Sequence, residues 1–310
     1  MDPHILDRLR CPVCGEPLEP ATDTSALRCP RRHSFDIARQ GYVNLLTGRA
    51  PHVGDTADMV AARADFQAAG HYDLISAALA AAATEAVARL RASAATPTAG
   101  RAADPTTGVR VDPPEPDVGA YPLVVDAGAG TGRYLGAVLA ALPDAVGLAL
   151  DVSKPALRRA ARAHPRAAAA LADTWQRLPL ADASTAVLLN VFAPRNGPEF
   201  HRVLDPAGTL LVVTPDTDHL TELVDALGLL RVDPAKADRV TGSLGGHFAP
   251  VSSAAHRAEL ALTRPEVATV VGMGPNAWHI DPEALAARLA ALPEPVRVTV
   301  AVRVDAYRPR

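Results

Sequence analysis

The stretch VVDAGAGTG, Val124 to Gly132, closes an apolar run on an acid, Asp126, and then sets Gly128, Gly130 and Gly132 at alternate positions before helical spacing resumes. A short apolar run bounded by glycine reads as a buried strand. Glycines at this spacing let the backbone turn tightly and approach a ligand where a side chain would collide. The dinucleotide fingerprint is G-x-G-x-x-G with a helix N-terminus facing pyrophosphate, whereas the spacing here is G-x-G-x-G. That difference predicts a nucleoside-bearing cofactor that makes no phosphate contacts.

Outward from this turn, a helix is predicted over Arg133–Ala141. Apolar runs follow at Val146–Leu150, Ala168–Ala172, Ala186–Val191 and Thr209–Val213, with helical spacing between them. Strand alternating with helix predicts an α/β fold, a Rossmann-like, mostly parallel sheet covered on both faces. The last stretch, Val296–Ala306, alternates apolar and polar residues and suits an antiparallel strand added late. Two more acids fall at strand ends. Asp151 closes LALD, where a carboxylate can accept both hydroxyls of a ribose, and Asp173 follows the next strand, where it could receive an adenine amino group. The alternative reading is that each is a surface or helix-capping acid, but acids at successive strand ends are harder to explain by chance than one.

Upstream, Cys11-Pro-Val-Cys14 and Cys29-Pro-Arg-Arg-His33 give C-x2-C and C-x3-H. Two such knuckles can grip a tetrahedral ion, and three thiolates with one imidazole point to structural zinc. Three cysteines cannot pair completely, which argues against a disulfide framework. Arg28, Arg31, Arg32 and Arg39 crowd this module and Arg49 follows it, so an RNA-facing surface and a merely solvated basic face both remain open. The formal net charge of the whole chain is −3. Any nucleic-acid surface must therefore be local. No charged-then-apolar leader opens the chain and no apolar run is long enough to cross a bilayer, so the expectation is a cytoplasmic protein with no membrane partner.

The predicted organisation is a zinc-binding module over residues 1–50, a helical connector over 51–91 covering the cofactor site, a disordered insertion over 92–121 and a catalytic domain over 122–310. The insertion is rich in Pro, Ala, Thr and Gly, with almost nothing large to bury. The first module is expected to depend on metal for its shape, and the sheet domain to have a separate core.

Taken together, the cysteine pattern, HSFDIARQGYVNLL (His33–Leu46), GDTADMVAAR (Gly54–Arg63), AGHYDLI (Ala69–Ile75), the glycine turn and HRVLDPAGTLLVVTP (His201–Pro215) occur in an order that resembles the bacterial 23S ribosomal RNA guanine-N1 methyltransferases. NVFAPRN (Asn190–Asn196), TPDTDHLTELVDALGLL (Thr214–Leu230) and MGPNAWH (Met273–His279) are most similar to the actinobacterial macrolide-resistance branch, which includes the tylosin- and mycinamicin-resistance enzymes. The resemblance departs at Ala207, where a second glycine is common. It implies a class I methyltransferase sheet, S-adenosylmethionine as methyl donor, and transfer to N1 of guanine 748 in a 23S rRNA hairpin lining the peptide exit tunnel. Methylation of the neighbouring guanine 745, or of a small molecule, is the alternative. It also implies Cys11, Cys14, Cys29 and His33 as zinc ligands, Thr131 and Gly132 in the cofactor turn, and Tyr72 and His219 as further cofactor contacts. No catalytic base is selected among Asp216, Asp218 and His219, and monomer and homodimer both remain open.

Overall fold

The computed structural model describes residues 1–48, 54–95, 118, 120–229, 242–274 and 281–310. A first sheet is small and antiparallel: β1 (Glu19–Pro20), β2 (Ala26–Arg28) and β3 (Ser34–Asp36), preceded by the short helix α1 (Pro3–Leu6). The second sheet has eight strands: β4 (Tyr42–Asn44), β5 (Leu123–Ala127), β6 (Val146–Asp151), β7 (Ala167–Leu171), β8 (Thr185–Val191), β9 (Leu204–Pro215), β10 (Phe248–Leu262) and β11 (Val296–Pro309). Their spatial order is β10-β11-β9-β8-β5-β6-β7-β4.

β5 to β9 pair in parallel and follow the doubly wound order, so the chain reverses its direction of travel between β5 and β8. β11 is antiparallel to both β9 and β10 and stands between them, which displaces the last parallel strand to the edge. β5 and β8 are buried at every position, as expected of central parallel strands.

One face of the sheet carries α3 (Asp73–Ala95), α4 (Arg133–Ala141), α5 (Lys154–Ala160) and α7 (Thr221–Leu227), with α2 (Ala57–Ala68) and α8 (Arg264–Gly272) near the strand ends and α9 (Pro282–Ala290) further out. On the other face, among the described residues, α6 (Gly197–Val203) contributes Phe200 and Val203, Leu178, Leu180 and Leu244 join them, and the N-terminal module adds Ile5, Leu9, Cys11, Leu18, Leu27 and Cys29, all packed with Leu123, Leu148 and Leu150 in one core. A bridge between Leu9 and Leu180 docks it there, and β4 adds three residues in parallel register to β7. The sheet domain thus has one core under its helices, and it shares the core on its other face, as well as the sheet itself, with the N-terminal module.

The expected insertion over 92–121 is too wide at both ends. α3 runs on to Ala95. Val118 is buried, and Tyr121 stacks on His4 at 3.8 Å while its carbonyl accepts from Arg8 at 2.9 Å. Residues 96–117, like Arg49 and most of MGPNAWH, lie outside the described residues.

Candidate active site

β5 delivers the glycine turn to the carboxyl edge of the sheet, and Gly128, Gly130 and Gly132 all take positive φ, at 84°, 53° and 78°. Their surroundings differ. A Cβ on Gly128 would lie 2.5 Å from the Ala193 Cβ, and one on Gly132 would lie 2.8 Å from the Ala160 Cα. These two glycines let the loop after β8 and helix α5 close onto the turn. Gly130 is buried, but a Cβ there would meet only the Arg63 side chain, whose Nη1 is 3.3 Å away. Of the three, Gly130 is the one where an added Cβ would meet no backbone atom.

Three acids converge on this edge, as the strand order requires. Asp151 is already engaged: its Oδ2 accepts from the Gly130 N–H and its Oδ1 from the Ser153 N–H, both at 2.8 Å. Burial nonetheless pushes its carboxyl above the usual range. Asp173 receives the Trp175 N–H on Oδ1 at 2.9 Å and keeps Oδ2 buried and unpartnered. Asp126 is buried with no partner on either oxygen, and burial, helped by the nearby Asp151, pushes its pKa up to about 8. Asn190 on β8 adds another such acceptor. Its Nδ2 donates to the Ala127 carbonyl at 3.2 Å and the Pro194 carbonyl at 2.8 Å, while its Oδ1 is buried and unpartnered. Buried acceptors without donors are costly. Hydroxyls, an amino group and an ammonium are what such a set requires, and S-adenosylmethionine carries all three, so the residues present fit it.

The segment Gly54–Arg63 lies over the turn. Ser153 Oγ donates to the Asp55 carbonyl at 2.7 Å, and Arg63 pairs with the Asp55 carboxylate while donating to the Met273 carbonyl at 2.8 Å. The Thr131 hydroxyl donates to Gln67 Oε1 at 2.6 Å, in a fully buried bond. Arg63, Gln67 and Asn190 were assigned no role from sequence. Each also reaches a partner more than sixty residues away, Met273, Thr131 and Ala127 respectively, and no local spacing signals such contacts.

Tyr72 and His219, 147 residues apart, meet at 3.3 Å between Oη and Nε2. Tyr72 sits in the turn joining α2 to α3, and His219 in the turn after β9. The Ala301 N–H donates to His219 Nδ1 at 3.2 Å, so in the neutral ring Nε2 carries the proton and points to the tyrosine oxygen. His219 therefore acts as a donor toward the site. Asp218 is ion-paired with Arg257, and Asp216 caps the Thr217 N–H.

In the N-terminal module, Cys11, Cys14, Cys29 and His33 hold their ligand atoms within 4.8 Å of one another. Cys14 Sγ to Cys29 Sγ is 3.7 Å, and His33 Nδ1 lies 3.5 Å from Cys11 Sγ and 3.3 Å from Cys29 Sγ. A zinc–sulfur bond of about 2.3 Å sets a tetrahedral edge of about 3.8 Å, so this donor set fits zinc. Both knuckles turn through left-handed residues, Gly15 and Arg32. Arg28 pairs with Asp23 and Arg31 with Glu16. Among the described residues, Arg32 and Arg39 are exposed basic side chains on this module with no ion pair.

The sheet order, the glycine turn and the buried acceptors together define a class I methyltransferase dependent on S-adenosylmethionine, with a zinc ribbon built into it. Over residues 9–49 the chain matches the zinc-ribbon family model described as RlmA, N-terminal. It is 66% identical over 100% of both chains to a protein of Micromonospora griseorubida assigned as a 23S rRNA (guanine-N(1)-)-methyltransferase. It is 48% identical, over 100% of this chain and 99% of the relative, to the 23S rRNA (guanine(748)-N(1))-methyltransferase of Streptomyces fradiae. Among solved structures, a Bacillus halodurans C-125 protein assigned as a methyltransferase aligns with 61% of this chain and 93% of its own, at 15% identity and a TM-score of 0.43. The chain belongs to the 23S rRNA (guanine-N1)-methyltransferase family. Among the described residues, no helix is long and apolar enough to cross a membrane.

Proposed function

We propose that this enzyme methylates N1 of guanine 748 in the exit-tunnel hairpin of 23S rRNA, in the cytoplasm, and so protects the ribosome from macrolides such as tylosin or mycinamicin. The observation that carries this reading is full-length similarity to the guanine-748 enzyme of Streptomyces fradiae. The buried acceptors at the carboxyl edge of the sheet are what the reaction's donor would need.

S-adenosylmethionine, when bound, would supply an activated methyl group on its sulfonium, to be exchanged at N1 for that nitrogen's proton. The chain's own residues position the reactants, which can account for most of the rate. Asp151, whose carboxylate already accepts from Gly130 and Ser153, would hold the ribose hydroxyls, and Asp173 would take the adenine amino group. Asp126 and the turn Gly128–Gly132 would hold the methionine end, and Thr131 braces that turn through Gln67. Tyr72, oriented by His219, closes the pocket from the helical side. The zinc ribbon, its shape fixed by Cys11, Cys14, Cys29 and His33, offers Arg32 and Arg39 to phosphates of the hairpin.

Methylation at N1 blocks the Watson–Crick edge, so reverse transcriptase stops one nucleotide before the modified base. Primer extension on 23S rRNA from a host lacking the gene, with and without the cloned enzyme, should give a new stop at guanine 748 together with tylosin tolerance. A stop at 745 would assign the enzyme to the sister specificity. Unmodified rRNA would refute the reading.

A further inference from the structure

From the side chains at the mouth of the site, we infer that Phe192 is the platform on which the extruded target guanine stacks. This rests on the function proposed above. Phe192 is the first residue after β8, at the carboxyl edge where the donor is to sit, and it combines features that are costly separately. Its ring is large and apolar yet 39% exposed. Its φ is +53°, a left-handed conformation that residues with a Cβ adopt rarely and that persists only where the surroundings impose it.

Those surroundings are visible. The Phe192 N–H donates to the Val213 carbonyl at 3.1 Å, the Asn190 side chain pins Ala127 and Pro194 on either side, and Ala193 packs against Gly128. The backbone on both flanks is thereby locked to the glycine turn, and the ring has little freedom to retreat into the core. Its centroid lies 6.3 Å from that of Tyr72 and 6.1 Å from that of His219, and these two rings are linked by their own hydrogen bond. Phe192 is thus braced on its inner side while the rest of the ring meets solvent beside the cofactor turn.

A base inside a hairpin must leave its stack before N1 can reach a methyl donor, and it then needs a flat partner in exchange. Aromatic side chains recognise unstacked RNA bases in this way. A strained, rigidly mounted and half-open phenyl ring at the reaction centre supplies such a face. The competing role is a purely apolar cover for the bound cofactor.

Phe192→Leu keeps apolar bulk but removes the flat face, whereas Phe192→Tyr keeps the face. The full-length zinc-bound enzyme should be assayed with a 23S rRNA transcript, with S-adenosylmethionine affinity measured by calorimetry. F192L should lower kcat/KM for the RNA by roughly tenfold to a hundredfold with cofactor affinity within about twofold of wild type, and F192Y should restore most of the loss. With 2-aminopurine in place of the target guanine in a synthetic hairpin, the F192L complex should be brighter than the wild-type complex, because the extruded base has lost its quenching partner. Wild-type RNA kinetics in F192L would overturn the inference, as would a loss confined to cofactor affinity. If the wild-type enzyme leaves the hairpin unmethylated, the functional reading itself has failed and the platform falls with it.

Discussion

Asp126 is a carboxyl group withdrawn from solvent with no donor on either oxygen, and the consequence is measurable without any ligand. Its pKa in the folded protein is about 8 against an ordinary 3.8, so between those values the folded state holds a proton that the unfolded chain has released. This group therefore favours the folded state most at low pH, and that advantage is lost as pH rises toward 8. Asp126→Asn, neutral throughout, should melt several degrees above wild type at about pH 8, with the gap closing toward pH 5, and should bind S-adenosylmethionine more weakly. Identical melting curves at both pH values would show that Asp126 has a donor. Asp151 behaves differently because its oxygens already hold Gly130 and Ser153. Asp151→Ala should cost at least about tenfold in cofactor affinity and also about 1–2 kcal/mol of stability, since two backbone donors lose their acceptor. Calorimetry alongside thermal melting separates the two effects, and unchanged affinity would remove Asp151 from the site.

At the scale of elements, the glycine turn makes a sharper prediction than its spacing could. Gly130→Ala meets only the movable end of Arg63, so its cost to the fold is the left-handed strain of about 1–2 kcal/mol. Gly132→Ala adds a collision with the backbone of α5 and should destabilise by a few kcal/mol. Denaturant titration should rank G132A well below G130A; the reverse order would mean that α5 is not seated on the turn. What sequence could and could not reveal follows the same division. β5 to β8 were legible because central strands are unbroken apolar runs, and Asp126, Asp151 and Asp173 were legible because they stand at the ends of those runs. β10 was missed because SSAAHRAELA lies on an edge and is mostly exposed, which leaves little hydrophobic pattern to read. β4 was missed because three residues carry no periodicity, and its place beside β7 depends on the docking of the whole ribbon.

For the whole molecule, the shared core changes what zinc removal should do. A metal-dependent appendage beside a self-sufficient sheet would lose its shape without disturbing the cofactor site, and two separate transitions would appear. Here Cys11 and Cys29 lie in the same apolar cluster as Leu123, Leu148 and Leu150, and β4 extends the sheet beside β7. Releasing the metal uncovers one face of that sheet as well as loosening the knuckles. Cys14→Ser should therefore lose zinc and shift the melting of the entire protein downward in a single transition, because burial on the two sides of the shared core is coupled. At a temperature low enough to keep the variant folded, S-adenosylmethionine affinity should fall only modestly, since no ligand to the metal touches the glycine turn. Methylation of 23S rRNA should fall by orders of magnitude, because Arg32 and Arg39 would no longer stand at fixed positions against the RNA backbone. Calorimetric scanning showing the sheet melting at the wild-type temperature in the zinc-free variant would contradict the shared core. Wild-type methylation by zinc-free protein would remove the ribbon from RNA recognition.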